Sequence, residues 1–231
     1  MSADDAHHPP LRSYGRTKSR VLKPRQAGLL ESLLPRIAVP DPLAGPIGPH
    51  PLKPDAAETW LEIGFGGGEH LAAQAVRHPD VLLLGAEPFL NGVASALRHI
   101  DEAGIENVRL HHGDARDLLA ALPDASLARV FILFPDPWPK LRHHKRRLMT
   151  PETIADLARV LAPHGRLRFA TDWKDYAAWT LERMLAAPAF RWMAERSDDW
   201  RVPPADHVTT RYELKRLGDT DPIFLDFERL P

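Results

Sequence analysis

Short apolar runs alternate with amphipathic stretches along most of the chain from residue 59 onward. Five runs have the length and composition of buried strands, and they cover residues 59–64, 81–88, 107–114, 127–134 and 166–172. Apolar positions recur at helical spacing over residues 69–79, 91–104, 115–122, 151–161 and 174–187. Two further strands are predicted at 190–196 and 222–230, with no helix between them. This order predicts an α/β fold: a doubly wound, mostly parallel seven-stranded sheet with an antiparallel last strand and helices on both faces.

The first 56 residues do not follow this alternation. No acidic residue stands between Asp5 and Glu31, while six Lys or Arg residues do, so residues 1–30 are interpreted as a mobile basic arm. Residues 35–55 contain seven prolines, too many for a long helix or a central strand, and are interpreted as a linker along the body. We therefore predict an arm and proline-rich linker over 1–56 and a single domain over 57–231.

Composition narrows the class of protein. The 231-residue chain is 44% hydrophobic and 26% charged, as expected for a globular domain. It contains no cysteine, which excludes disulfides and thiolate metal sites. Because the N-terminus has no apolar leader and no stretch has the length of a membrane span, we expect a cytoplasmic protein. The net charge is only −1, but the basic arm and a second basic block at 140–147 predict an anionic partner.

A glycine-rich loop follows the first predicted strand, in the stretch LEIGFGGGEH at 61–70. Gly64 and Gly66 fit the start of a dinucleotide fingerprint, but the position of its third glycine holds Glu69. A carboxylate at the start of the next helix disfavours a pyrophosphate, which needs those backbone amides. Glu62 adds a second negative charge, so the loop predicts a closely approaching ligand that is not a phosphate.

Acidic residues recur at the ends of the first four predicted strands: Glu62, Glu87, Asp114 and Asp136. In a parallel sheet these ends share one edge, where ligands bind. Glu87, 25 residues after Glu62, is placed to accept the hydroxyls of a ribose, and Asp114 the amino group of an adenine. S-adenosylmethionine combines those groups with a sulfonium and an amino group, so we predict that it binds here, against the loop that includes Gly64 and Gly66. At this point the chain resembles the class I, Rossmann-like methyltransferases over residues 57–172.

The fourth strand runs into the stretch FPDPWPKLRHHKRR at 134–147. Asp136 is placed to hydrogen-bond the edge of a methyl acceptor, and Trp138 to stack on a planar base. Prolines stiffen the turn that carries both side chains. Basic residues then follow at positions suited to holding phosphates: Lys140, Arg142, Lys145, Arg146 and Arg147. An acid and an aromatic beside basic residues favour an unpaired nucleobase within a polynucleotide.

These residues also carry a closer resemblance. The stretch from Pro135 to Arg147 is similar to a motif of the bacterial tRNA (guanine-N7-)-methyltransferases, and the likeness extends over nearly the whole chain from residue 14. It includes YGR at 14–16 with Gln26, TDWKDYA at 171–177 and TRYELKRLGDTDPIFLDFER at 210–229. The resemblance implies methyl transfer from S-adenosylmethionine to N7 of guanine 46, in the variable loop of tRNA. The proline-rich linker at 35–55 departs from the family pattern without touching a motif residue.

The resemblance also implies roles for individual residues. Glu62, Glu87, Asp114 and Asp136 would bind the cofactor, and Asp136 would also be the catalytic residue. The target guanosine would contact Lys140, Asp172, Thr210, Arg211, Tyr212 and Glu213. RNA would be held by Arg142, His143, His144, Lys145, Arg146 and Arg147. We expect Asp136 to orient the acceptor and assist electrostatically rather than to serve as an obligatory base, and we expect a monomer or weak homodimer.

Other interpretations remain open. Paired histidines at 7–8, 111–112 and 143–144 invite a metal site, but neighbours on a strand point to opposite faces, so we predict none. The turn at 135–138 is related to that of methyltransferases acting on adenine or glutamine amino groups, although it lacks their second consecutive proline. A small-molecule methyltransferase, or a polyamine synthase of related fold, would not need two basic segments. The alternative outside enzymes is an RNA-binding protein whose cofactor pocket is a relic.

Overall fold

A seven-stranded sheet forms the centre of the computed structural model, which describes residues 21–231. Its strands are β1 Glu58–Ile63, β2 Val81–Ala86, β3 Val108–His111, β4 Leu127–Leu133, β5 Leu161–Thr171, β6 Phe190–Trp192 and β7 Ile223–Arg229. Their order across the sheet is β3-β2-β1-β4-β5-β7-β6. The pairs among β1 to β5 are parallel, whereas β7 runs antiparallel to both β5 and β6. The predicted mostly parallel sheet with an antiparallel last strand is confirmed.

Nine α-helices occur within the described residues. They are α1 Pro24–Ser32, α2 Leu34–Ile37, α3 Pro49–Leu52, α4 Glu69–Arg77, α5 Leu90–Ala103, α6 Ala115–Ala121, α7 Pro151–Val160, α8 Lys174–Ala186 and α9 Asp198–Arg201. The five helices predicted within the alternating region are present, with ends shifted by a few residues. Thr150 caps α7 by accepting a hydrogen bond from the amide of Thr153, as its position before Pro151 predicts.

Strand β5 differs most from its predicted bounds, because it begins at Leu161 rather than at residue 166. Helix α7 ends at Val160 and the chain enters the sheet without a separate loop. Leu161 is buried and pairs with Leu127, and the register shifts before the regular pairing of Arg129 with Arg166. A sheet irregularity therefore accommodates Pro163 and Gly165, residue types that are uncommon inside regular strands.

The N-terminal region is more structured than its composition indicates. Residues 24–30 were assigned to a mobile arm, but they belong to helix α1, whose Leu29 is buried in the core. Arg25 pairs with Asp101 and Glu102 at the end of α5. This correction reflects tertiary packing, since the isolated segment has no strong helical pattern. The basic positions before residue 21, with the YGR segment at 14–16, lie outside the described residues.

The proline-rich segment follows the body as predicted, although it is not free of helix. Two of its prolines occupy the first turns of the short helices α2 and α3, where a missing N–H costs nothing. Its backbone joins the domain through hydrogen bonds from Val39 to Leu110 and from Ile47 to Ala121. The boundary predicted at residue 56 remains a prediction, because residues on both sides of it contribute to the same core.

Alternating residues of the central strands pack into two apolar cores, one on each face of the sheet. On β2, Leu82 and Leu84 pack into one cluster, while Val81 and Leu83 pack into the other. All four are almost completely buried, and full burial of such a side chain stabilises the fold by about 1.5–3 kcal/mol. Because both faces are covered, the open part of the sheet is its edge at the carboxyl ends of the strands.

Candidate active site

The sheet places four predicted acids along one edge. Glu62 is the fifth residue of β1, and Glu87, Asp114 and Asp136 follow the ends of β2, β3 and β4. These strands are neighbours in the order β3-β2-β1-β4 and run in the same direction. The predicted cluster at the carboxyl ends of the strands is therefore a consequence of the topology.

The glycine loop turns tightly from β1 into α4. Gly66 and Gly68 have φ angles of +54° and +79°, which favour glycine over residues with a side chain. A Cβ on Gly68 would lie 2.5 Å from the Cβ of Ala96, so α5 packs directly against the loop. On the other side, a Cβ on Gly92 would collide with the carbonyl oxygen of Gly66. The loop is thus held at a distance from α5 that only glycine permits.

Glu87 ties the glycine loop to the end of β2. Its two carboxylate oxygens accept hydrogen bonds from the amides of Gly66 and Phe89, both at 2.8 Å. Burial raises the pKa of Glu87, and the negative charges of Asp136 and Glu62 raise it further, although the two amide hydrogen bonds act against the shift. The negative charges of Asp136 and Glu62 therefore act on a partly buried carboxylate, Glu87, which favours a cationic ligand there.

Two of the other cofactor acids, Glu62 and Asp114, also have partners. Glu62 is buried, and one of its oxygens lies 2.7 Å from Nδ1 of His70, a residue that the sequence analysis did not single out. Asp114 caps α6 through the amide of Arg116 and also accepts from the Arg116 guanidinium. An adenine bound to Asp114 as predicted would therefore either compete with the Arg116 guanidinium for the carboxylate or share the carboxylate with it.

The turn after β4 brings Asp136 to the same edge of the sheet. Phe134 and Trp138, on either side of it, have φ angles of +52° and +44°, an uncommon conformation for residues with large side chains. Asp136 remains open to solvent, but the surrounding protein partly desolvates it and raises its pKa. The guanidinium carbon of Arg146 lies 4.9 Å from the ring of Trp138, so this indole is already engaged on one face.

The basic block after this turn forms a short 3-10 helix over Leu141–Arg146. Lys140, Arg142 and Lys145 are exposed, which fits the predicted contact with phosphates. His143 is half-buried, and partial desolvation followed by the charges of neighbouring Arg and Lys side chains lowers its pKa. This shift favours the neutral ring, which can contact RNA through a hydrogen bond or a stacking interaction. We call the segment 140–146 the basic shelf.

Arg147 does not belong to the basic shelf, which corrects the prediction that it contacts RNA. Its side chain is only 1% exposed. Nε donates to the carbonyl oxygen of Pro137 at 2.9 Å, and Nη2 donates to Asp175. The guanidinium carbon lies 4.9 Å from the ring centres of both Tyr176 and Trp179 on α8. A planar cation enclosed by two aromatic rings and a carboxylate is unavailable to a phosphate.

Asp172 and the segment 210–213, the predicted target-binding residues, meet at the end of β5. The hydroxyl of Tyr212 donates to Asp172 at 3.3 Å, and burial raises the pKa of this tyrosine to about 12. Asp172 itself is only 5% exposed, because Gly218 closes over it without room for a side chain. Contact between Asp172 and a guanosine therefore requires the loop around Gly218 to move.

Thr210 and Glu213 are joined by hydrogen bonds from the backbone amide of each residue to the side chain of the other. The amide of Thr210 donates to Glu213 at 2.8 Å, and the amide of Glu213 faces the Thr210 hydroxyl at 3.4 Å. Glu213 also lies 2.7 Å from Nε2 of His207. Burial alone would raise the pKa of Glu213, but the bonds from His207 and Thr210 together lower it. Glu213 is therefore an anion held in place by its neighbours.

Arg211 reaches from this segment to the glycine loop. Its Nε donates to Glu69 at the start of α4, and its Nη2 donates to the hydroxyl of Ser95 on α5 at 2.8 Å. A Cβ on Gly67 would collide with the Arg211 guanidinium. The structure thus brings Arg211, predicted to contact the target, against the loop predicted to hold the cofactor.

Asp206 anchors the segment that leads to residues 210–213, and the sequence analysis missed it. Its carboxylate accepts hydrogen bonds from Arg129 on β4 at 2.7 Å and from Arg168 on β5 at 2.5 Å. Arg168 also binds Asp226 on β7 through two of its nitrogens. Arginines within apolar strands are the signal that could have indicated a buried acidic partner on a loop.

Comparison with solved structures defines the class of protein. An rRNA methylase from Streptococcus thermophilus superposes with a TM-score of 0.53 and 16% identity, covering 77% of this chain and 89% of that one. TrmN from Thermus thermophilus superposes with a TM-score of 0.54 and 16% identity, over 76% of this chain and 45% of that one. The fold is that of the Rossmann-like methyltransferases.

Sequence relatives define the family within that class. Residues 56–224 match a family model described as putative methyltransferase. A tRNA (guanine-N(7)-)-methyltransferase from Caulobacter sp. strain K31 is 63% identical over the whole of both chains, and one from Hyphomonas neptunium is 51% identical over 94% of this chain and 99% of its own. The chain belongs to the tRNA (guanine-N(7)-)-methyltransferase family.

Two kinds of feature are absent from the described residues 21–231. No helix in this part of the chain is long and apolar enough to cross a membrane. No group of three or more His, Cys, Asp or Glu side chains in the same residues is placed to hold a metal ion.

Proposed function

We propose that this protein transfers a methyl group from S-adenosylmethionine to N7 of guanine 46 in the variable loop of tRNA. The observation that carries the proposal is the position of Asp136, at the acidic edge of the sheet and four residues before the start of the basic shelf. A site for a cationic cofactor and a surface for an anionic polymer therefore meet at one turn. Membership of the tRNA (guanine-N(7)-)-methyltransferase family supports guanine as the methylated base and N7 as the acceptor atom.

The acidic edge has the chemistry needed to hold the cofactor. The sulfonium and amino groups of S-adenosylmethionine are cationic, and when bound they would offset the negative charges that Asp136 and Glu62 place near Glu87. Glu87 and Asp114 would hold the ribose hydroxyls and the adenine amino group. Gly64 and Gly66 allow a ligand to approach the backbone closely, since both have positive φ angles and no side chain.

The reaction requires little acid–base catalysis by the protein. When bound, the cofactor supplies an electrophilic methyl group. Guanine N7 has an in-plane lone pair and no proton to lose, so no general base is needed. Alignment of the two reactants accounts for most of the acceleration, worth up to about 7–11 kcal/mol in favourable cases. Asp136 would orient the guanine and stabilise the positive charge that develops on the purine.

The target guanosine would be held from both sides of the pocket. Lys140 lies at the start of the basic shelf, while Asp172, Thr210, Tyr212 and Glu213 lie at the end of β5 and in the loop beside it. Once the loop around Gly218 has moved, Asp172 would accept, together with Glu213, from the N1–H and amino group of guanine, which an adenine lacks in this arrangement. Arg211, which already contacts α4 and α5, would join this wall to the glycine loop.

The basic shelf would bind the phosphates around the target. Arg142 and Lys145 are exposed and placed to contact the backbone, and His143, His144 and Arg146 line the same short helix. Such contacts make affinity strongly dependent on salt concentration. We place the activity in the cytoplasm, where tRNA is found, and expect a monomer or weak homodimer.

Incubation with labelled S-adenosylmethionine and unmodified total tRNA tests the proposal. Nuclease digestion and mass spectrometry of the product should yield 7-methylguanosine, and activity should fall steeply as salt concentration rises. Methylated adenine would instead point to an amino-methyltransferase. Calorimetry that detects tRNA binding but no uptake of the cofactor would identify an RNA-binding protein that has lost methyl transfer.

A further inference from the structure

Three buried polar side chains form a continuous line behind the cofactor edge. Glu62, His70 and Gln74 are each at most 4% exposed. Oε2 of Glu62 lies 2.7 Å from Nδ1 of His70, and Nε2 of His70 lies 3.1 Å from Nε2 of Gln74. The same Gln74 nitrogen donates to the backbone carbonyl of Asp206 at 2.9 Å. His70 and Gln74 are four residues apart on α4, so they share one face of the helix.

The backbone carbonyl of Asp206 determines which atoms along this line donate hydrogen bonds and which accept them. A carbonyl oxygen only accepts hydrogen bonds, so the Gln74 atom facing it must be the amide nitrogen. The second hydrogen of that nitrogen then points at Nε2 of His70, which must accept and cannot carry a proton. A neutral imidazole with an unprotonated Nε2 carries its proton on Nδ1, which faces Glu62. Rotating the amide would set two oxygens against each other at 2.9 Å.

The amide adopts this orientation at a cost. Oε1 of Gln74 is buried and has no hydrogen-bond partner within the part of the chain that the structure describes. Leaving a buried acceptor unpaired is unfavourable, so the two donations by the amide nitrogen must outweigh it. Phe131 on β4 packs edge-on against the His70 ring at 4.7 Å and fixes the plane of the imidazole.

We propose that Gln74 and His70 are positioning residues for the cofactor, acting through Glu62. Gln74 donates to Nε2 of His70 and keeps it unprotonated, and the Nδ1–H of His70 holds one oxygen of the Glu62 carboxylate and leaves the other oxygen for the ligand. The same amide joins this line to Asp206, which anchors the segment that leads to the target-binding residues. The inference rests on the proposed function in one respect only, the role of Glu62 in holding the cofactor.

The tautomer is measurable in the ligand-free protein. Long-range 15N–1H correlation spectra of the full chain at pH 7, with His70 assigned through its backbone, distinguish the two ring nitrogens. We expect Nδ1 to be protonated and Nε2 to show the shift of an unprotonated nitrogen. A ring protonated on Nε2, or on both nitrogens, would overturn the proposal. This test needs neither variant nor cofactor.

Two matched variants test the effect on the cofactor. Gln74→Met keeps the length of the side chain but removes both donations, whereas Arg77→Met removes a different donation to the same Asp206 carbonyl, at 2.8 Å, without touching His70. By calorimetry, Gln74→Met should weaken the binding of S-adenosylmethionine by about tenfold, the usual consequence of one lost buried hydrogen bond. Arg77→Met should change it by less than about twofold.

The outcomes separate the positioning role from the proposed function. A loss in Arg77→Met as large as in Gln74→Met would assign the effect to the Asp206 segment and overturn the proposal, as would no loss in Gln74→Met. In Gln74→Met, the 15N resonance of His70 Nε2 should also shift, because that nitrogen loses its hydrogen-bond donor, a signature that simple loss of stability would not produce. If the unmodified protein does not bind the cofactor at all, the proposed function fails while the tautomer result still stands.

Discussion

Replacing Arg147 with methionine tests whether the last basic residue of the 140–147 block supports the catalytic turn or binds RNA. The substitution keeps an unbranched apolar side chain of similar length and removes the guanidinium. In the folded protein it would leave the carbonyl of Pro137 without its donor, at 2.9 Å, and remove the cation from between Tyr176 and Trp179. Asp175 is well exposed and can be resolvated by water.

The expected cost follows from these contacts. An unpaired buried carbonyl costs about 1–3 kcal/mol, and each cation–π contact contributes about 0.5–2 kcal/mol. Since the contacts are not additive, we expect unfolding free energy to fall by about 2–4 kcal/mol, with a shift of the melting temperature of about 2–4 °C per kcal/mol. Asp136 precedes Pro137 directly, so a loosened turn should also lower kcat, by about tenfold or more.

Filter binding to tRNA over a range of salt concentrations provides the deciding assay, with Lys145→Met as the matched control. Lys145 is exposed, so its loss should reduce the slope of log affinity against log salt by about 0.7–0.9, as for one phosphate contact, and leave the melting temperature unchanged. Arg147→Met should leave that slope unchanged while kcat and the melting temperature fall. A reduced slope with normal kcat and melting temperature in Arg147→Met would refute the assignment.

Three further substitutions test other parts of the site. Gly68→Ala should abolish measurable cofactor binding, because φ is +79° and the new Cβ would lie 2.5 Å from that of Ala96; calorimetry with S-adenosylmethionine checks this. Asp136→Asn should lower kcat by about 100- to 1,000-fold, the range for losing one preorganised electrostatic contact, and full turnover at unchanged cofactor affinity would exclude the role given to this acid. The pKa of Glu213 is lowered from 4.5, so this carboxylate stabilises the fold above that pH, and the stabilisation is lost as pH falls through the folded-state value. The stability difference between the unmodified protein and Glu213→Gln, measured by urea unfolding, should therefore shrink below about pH 4.5, whereas a constant difference would contradict this linkage.

The spacing of apolar residues along the chain predicted the sheet and the edge at which the acidic residues lie. Buried parallel strands read as nearly continuous apolar runs, so the strand ends, and with them Glu87, Asp114 and Asp136, were visible in the sequence. The glycine loop was equally readable, because a turn that packs against a helix admits few other residues. These features are local, and a local pattern is sufficient to specify them.

Features that depend on tertiary partners were not predictable in this way. Arg147 stands at the end of a run of basic residues, and nothing in that run shows that Asp175, Tyr176 and Trp179 enclose it. His70 occupies an ordinary helical position, and only the fold shows that it meets Glu62. Helix α1 was missed for a related reason, since its stability comes from packing on α5 rather than from its own sequence.

Mapping the methylated nucleotide on a single transcribed tRNA is the most direct test of the proposed function. A tRNA transcript with guanine at position 46 should acquire one 7-methylguanosine, located by borohydride and aniline cleavage at that nucleotide. The same transcript with adenine at position 46 should remain unmodified under identical conditions. Methylation of both transcripts, cleavage at another guanine, or transfer to a different atom of the base would contradict the assignment of guanine 46 N7 as the acceptor.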